Sequence, residues 1–133
     1  MSSERHVVLV ADDDEDILLL VRTVLEREGH EVIATRDGAE AVAAAFERKP
    51  DLAVLDITMP ELDGLEVLRR LRADASTTDV PVLLLSARVQ EDDVKRGYDT
   101  GANAYVQKPF SPRELTERVS ELLATVPGGE RPY

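Results

Sequence analysis

Apolar residues in this chain fall into two alternating patterns. Short apolar runs of strand length sit at 6–11, 31–35, 52–56, 82–86 and 104–107, rich in Val, Leu and Ile. Such runs predict strands covered on both faces. The second, Glu31-Val32-Ile33-Ala34-Thr35, is the weakest and is expected nearer a sheet edge. Between the runs, apolar residues recur at helical spacing. Over 16–28, Ile17, Leu20, Val21, Val24 and Leu25 form one stripe, and Gly29 fits a helix stop. The Ala-rich segment 38–48, with Val42 and Phe46, predicts a second helix. Leu65, Leu68 and Leu71 predict a third over 65–73, and residues 90–100 form a fourth. Gly97 lies inside that fourth helix, where glycine costs about 1 kcal/mol relative to Ala. Ser111-Pro112-Arg113-Glu114 reads as an N-cap, a first-turn proline and a capping-box glutamate. It opens a last helix through Leu115, Val119, Leu122 and Leu123.

Strands alternating with helices predict an α/β fold: a doubly wound, five-stranded parallel sheet flanked by five helices. The flavodoxin-like strand order 2-1-3-4-5 is expected, with its site at the carboxyl ends of the strands near the order reversal. One domain over residues 1–124 is expected, followed by a flexible tail or linker stub over 125–133 that contains Pro127-Gly128-Gly129.

The residues at the strand ends give this topology its chemical meaning. The first strand ends in Asp12-Asp13, the third in Asp56, the fourth in Ser86 and the fifth in Lys108-Pro109. Asp14, Glu15 and Asp16 fit the start of a helix, where acids cap free N–H groups and complement the dipole. Asp12, Asp13 and Asp56 instead crowd one cleft, which is unfavourable unless a cation or protons relieve it. Carboxylate oxygens with water suit Mg²⁺. Lys108 is placed to pair with Asp56 or with an anion bound there, and the X-Pro bond after it tolerates a cis form. Neither His6 nor His30 is placed to activate Ser86 as a nucleophile, so its hydroxyl reads as a hydrogen-bond donor to an oxyanion. A carboxylate beside Mg²⁺, a lysine and a hydroxyl suits phosphoryl transfer to the carboxylate, with an aspartyl phosphate as product.

Composition narrows the partners. The 133 residues include 27 acidic and 16 basic side chains, a net charge of -11 that repels phosphate backbones. Direct nucleic-acid binding is therefore not expected, and the 4% aromatic content without Trp offers no base-stacking platform. The absence of cysteine excludes disulfides, thiolate zinc sites and cysteine nucleophiles. With no signal-peptide pattern and no apolar run of membrane-spanning length, a soluble cytoplasmic protein is expected.

These residues resemble the receiver domain of bacterial two-component response regulators over residues 5–124. The motifs are Val10-Ala11-Asp12-Asp13-Asp14, Leu55-Asp56-Ile57-Thr58-Met59-Pro60-Glu61-Leu62-Asp63-Gly64, Leu85-Ser86-Ala87 and Gly101-Ala102-Asn103-Ala104-Tyr105-Val106-Gln107-Lys108-Pro109-Phe110. All four, in order and at strand ends, are a specific signal. The resemblance implies that Asp56 accepts a phosphoryl group from a histidine of a sensor kinase or a histidine phosphotransfer protein. It implies Mg²⁺ held by Asp13 directly, Asp12 largely through water, Asp56, and the backbone carbonyl of Thr58. Ser86 resembles the switch hydroxyl, Lys108 the salt-bridge partner of the phosphoryl group, and Tyr105 the aromatic that changes rotamer with Ser86. Their movement alters the surface of helix four, strand five and helix five, through which a homodimer also forms in some relatives. Receivers assist their own phosphorylation and dephosphorylation, but signalling, not enzymatic turnover, is the implied function.

Three departures stand out: Ser86 for the frequent Thr, the small Ala11, and Asn103-Ala104 where the winged-helix transcription-factor subgroup carries an acidic pair. The last puts that subgroup's dimer mode in doubt. The resemblance fits a stand-alone receiver and a receiver cut from a longer regulator alike. Two rivals share parts of the pattern. A haloacid dehalogenase-like phosphohydrolase would carry a second Asp where Thr58 stands, and a flavin carrier would meet repelling acids at its phosphate site. Leu18 and Leu19 lie off the expected core stripe of the first helix, beside the predicted site, and are expected to dock the histidine-bearing partner. Gly97 is expected to soften the fourth helix for switching.

Overall fold

The computed structural model describes residues 5–59, 61–87, 95 and 98–125. Its five strands are β1 (Val7–Ala11), β2 (Glu31–Thr35), β3 (Leu52–Asp56), β4 (Val82–Ser86) and β5 (Ala104–Gln107). They form one parallel sheet in the order β2-β1-β3-β4-β5, as expected. The helices are α1 (Glu15–Arg27), α2 (Gly38–Arg48), α3 (Gly64–Ala73) and α4 (Pro112–Leu123), the last of those predicted. The expected fourth helix over 90–100 lies mostly outside the described residues, although residues 95 and 98–100 carry helical backbone. Gly97 and the Pro127-Gly128-Gly129 tail also lie outside them.

Alternation along β1 divides the core into two layers. Val8 and Val10 face α1 and α4, packing with Val21, Leu25, Leu115 and Val119. Leu9 and Ala11 face the other way, toward Ala41, Ala45, Val67, Leu68 and Leu71 of α2 and α3. Every residue of β3 and β4 is buried, which explains their unbroken apolar runs. The two edge strands are more exposed, β2 among them as its weaker pattern predicted.

Each described helix starts on a capped turn near the carboxyl edge of the sheet. Asp14 accepts from the N–H groups of Asp16 and Ile17, Asp37 from Glu40, Asp63 from Glu66, and Ser111 from Glu114. These bonds satisfy amide donors that a helix start leaves open. Asp14, Glu15 and Asp16 thus cap and charge the first turn of α1, as expected.

The stripe of α1 differs from its prediction. Leu18 is only 8% exposed and belongs to the core, whereas Leu19 is 63% exposed. Ile17 and Leu20 are partly buried and flank a seam of Leu18, Val21 and Leu25. That i, i+3, i+7 seam faces β1 and α4, so the buried arc is centred nearer Leu18 than Leu20. In α2 the buried residues are Gly38, Ala41 and Ala45, while Phe46 is 37% exposed. Small residues there bring the helix close to the sheet.

Candidate functional site

The sheet brings Asp12 and Asp56 together through its central pair of strands. β1 and β3 are adjacent and in register at Ala11 and Leu55, so the next residue of each strand emerges at the same edge. Carboxylate oxygens of Asp12, Asp13 and Asp56 lie within 4.8 Å of one another. Asp12 and Asp56 are buried, while Asp13 is exposed. Lys108 reaches in from the end of β5, its Nζ 2.8 Å from Asp12 Oδ2 and 3.4 Å from Asp56 Oδ2. The sequence pointed to Asp56 as its partner, but the shorter contact is to Asp12. The peptide bond between Lys108 and Pro109 is cis.

Local turns hold these side chains in place. Asp12 Oδ1 accepts from the Asp14 N–H at 2.9 Å, so one oxygen fixes the turn into α1 while the other meets Lys108. Asp12 N–H donates to the Thr35 carbonyl, and Thr35 Oγ1 donates to the Val10 carbonyl. The Thr58 N–H lies 3.4 Å from Asp56 Oδ1. Lys108 N–H donates to the Ser86 carbonyl at 2.7 Å, tying the end of β5 to that of β4. Ser86 is 6% exposed and lies one residue beyond Leu85, the register partner of Asp56. Tyr105 is partly buried in β5 against the α2–α3 side of the core.

Among the described residues, three carboxylates face one ammonium, which leaves the pocket rich in negative charge. Burial, and after it the neighbouring Asp12, push the Asp56 carboxyl up to about 6, against the opposing pull of Lys108 and the Thr58 N–H. Burial alone lowers the Lys108 ammonium, but Asp12 and Asp56 reverse this and hold its pKa above the usual lysine range. The donor set fits a hard divalent cation: carboxylate oxygens, close together, on a pocket with uncompensated charge.

One contributor escaped the sequence reading. Gly64, the last residue of the motif around Asp56, opens α3 directly against β3. A Cβ on it would lie 2.3 Å from the Asp56 carbonyl oxygen. Its N–H donates to the Ile57 carbonyl at 2.8 Å, so the helix start braces the backbone that carries Asp56. The Asp63-Gly64 pair marks a helix cap, but nothing in its local pattern reveals the close approach.

Comparison with known proteins agrees with this geometry. Residues 8–120 match the response regulator receiver domain family. The chain is 46% identical over 116 residues to the alkaline phosphatase synthesis transcriptional regulatory protein PhoP of Bacillus subtilis, covering 87% of this chain and 48% of that protein. It is 49% identical to the transcriptional regulatory protein PrrA of Mycobacterium tuberculosis, over 87% of this chain and 49% of the relative. The chain thus spans about half the length of the curated relatives it matches. Among solved structures, a putative response regulator from Chloroflexus aurantiacus aligns with a TM-score of 0.86 at 34% identity, covering 90% of this chain and 98% of that one. The receiver domain of the sensor histidine kinase PA1611 from Pseudomonas aeruginosa aligns with a TM-score of 0.84 at 27% identity, over 90% and 98% of the two chains. That structure holds a magnesium ion coordinated in its active-site cleft. These matches favour signalling over the phosphohydrolase and flavin-carrier rivals. By its strand order, the residues at its strand ends and its family match, the chain belongs to the response regulator receiver domain family.

Proposed function

We propose that Asp56 is the phosphoacceptor of this receiver, taking its phosphoryl group from a histidine of a sensor kinase or a histidine phosphotransfer protein. A carboxylate oxygen of Asp56 attacks phosphorus as the P–N bond of the phosphohistidine breaks, and the imidazole leaves with the electron pair. The observation that carries this reading is Lys108 Nζ within 3.4 Å of Asp56 and 2.8 Å of Asp12, inside a buried pocket of acids. Such an ammonium neutralises phosphoryl oxygens as charge develops. Ser86, at the end of the neighbouring strand, donates its hydroxyl to a phosphoryl oxygen, and Tyr105 follows it, changing the face around β5 and α4.

Asp12, Asp13, Asp56 and the Thr58 carbonyl would hold Mg²⁺, which supplies charge neutralisation of the phosphoryl oxygens when bound. The clustered carboxylates support this assignment. Leu19, 63% exposed on α1 beside Arg22 and Ala34, is the docking residue for the histidine-bearing partner. Leu18, expected to dock beside it, is only 8% exposed and packs into the core instead, which leaves the contact to Leu19. No helix among the described residues is long and apolar enough to cross a membrane. Output passes through protein contacts, either to a separate partner or to a module joined to this receiver.

Incubation with acetyl phosphate and Mg²⁺, followed by mass spectrometry, tests the reading. One added phosphoryl group is expected, absent in Asp56→Asn and after chelation. Labelling that persists in both controls overturns it.

A further inference from the structure

The chain's two histidines take no part in the carboxylate pocket. They meet at the opposite edge of the sheet, His6 ahead of β1 and His30 ahead of β2. His6 is 4% exposed, and neither of its ring nitrogens has a hydrogen-bond partner. The two rings lie 5.6 Å apart, inclined at 57°. The His6 main-chain N–H donates to His30 Nδ1 at 3.4 Å. That bond requires an unprotonated Nδ1, so His30 is neutral there and carries its hydrogen on Nε2. The same edge is stitched on both sides: the His6 carbonyl accepts from the Glu31 N–H, and Asp51 Oδ2 accepts from the Val7 N–H at 2.8 Å.

The surrounding charges do not make this a home for imidazolium. Glu28, in the turn after α1, and Asp51, ahead of β3, act on His30 in favour of the charged form. Burial and the neighbouring His6 act against it and prevail. Glu31 at the start of β2 is engaged by Arg5 and Arg48. From α4, Leu123 joins this side of the core, while Arg118 and Glu121 pair with each other.

We propose that His6 and His30 form a proton-sensitive latch that holds the edge strand β2 to β1 and opens in acid. Protonating His30 turns Nδ1 from an acceptor into a donor. It then opposes the His6 N–H and places a cation beside a buried imidazole. The unfolded chain takes up this proton more readily than the folded one. Stability is therefore full above the ordinary histidine range and falls as pH drops through about 6.5.

Urea unfolding between about pH 7.5 and pH 5.5, for the native chain and His30→Asn, tests the latch. Asparagine offers an acceptor near the Nδ1 position but does not titrate. The unfolding constant of the native chain is expected to rise at least about threefold more than that of the variant across this range. Asp56 titrates in both proteins and cancels from the comparison. Equal rises overturn the proposal. Proton NMR of the native chain, which has two imidazoles to follow, is a second measurement that needs no variant. His30 should titrate below about pH 6.5, and the idea fails if it does not.

Discussion

Asp56 occupies a pocket that resists its ionisation, and this has a measurable consequence. Its carboxyl is raised to about 6 by burial and by Asp12, so folding takes up a proton between the unfolded value near 3.8 and that level. The stability this contributes is present below the unfolded value and is lost as pH rises through about 6. At neutral pH the ionised, partly compensated carboxylate is a net cost. Asp56→Asn is therefore expected to stabilise the chain at pH 7 by on the order of 1–3 kcal/mol, with the gain shrinking toward about pH 4. Chemical denaturation at the two pH values checks this. The residue types of the pocket were legible in the sequence because each ends an apolar run. Which acid lies nearer Lys108 was not, since this depends on the depth of Asp12 and the reach of the side chain from β5.

Among the elements, α3 is the one most closely coupled to the site. Gly64→Ala would place a methyl group 2.3 Å from the Asp56 carbonyl oxygen, too near for backbone to tolerate. It is expected to cost about 2 kcal/mol or more and to slow labelling by acetyl phosphate, read from urea midpoints and mass spectrometry together. The far end of α3 performs a second task. Arg72 donates to the carbonyls of Val80 and Gly101 and to Asn103 Oδ1, which also accepts from the Val82 N–H. Gly101, with φ at +117°, has the backbone freedom this contact needs. Lysine cannot reproduce such a fork, so Arg72→Lys should lose about 1–3 kcal/mol and lower the thermal midpoint. Helix and strand positions followed from periodicity and caps. The rotation of α1 did not: the apolar spacing puts Leu20 in the stripe and Leu18 outside it, and only packing against β1 and α4 turns Leu18 inward. Arg72 gave no local signal because its partners lie up to 31 residues away.

At the scale of the molecule, alternating strands and helices with right-handed crossovers narrowed the sheet to a few orders, and the flavodoxin-like order expected among them is the one found. That order places acids from β1 and β3 side by side and leaves a charge excess at one edge. Mg²⁺ should stabilise the folded chain by mass action, by about 1.4 kcal/mol at roughly ten times its dissociation constant, and a chelator should reverse the gain. A thermal midpoint indifferent to the ion would count against the proposed ligand set. The contact between Lys108 and Asp12 adds a further consequence. The pocket already contains a tethered monovalent tenant, so any divalent newcomer enters by competition. Its apparent affinity reports an exchange of cations rather than the intrinsic appetite of the acids. Calorimetric titration of Lys108→Met should accordingly show tighter ion binding than the native chain, even as phosphoryl acceptance is lost.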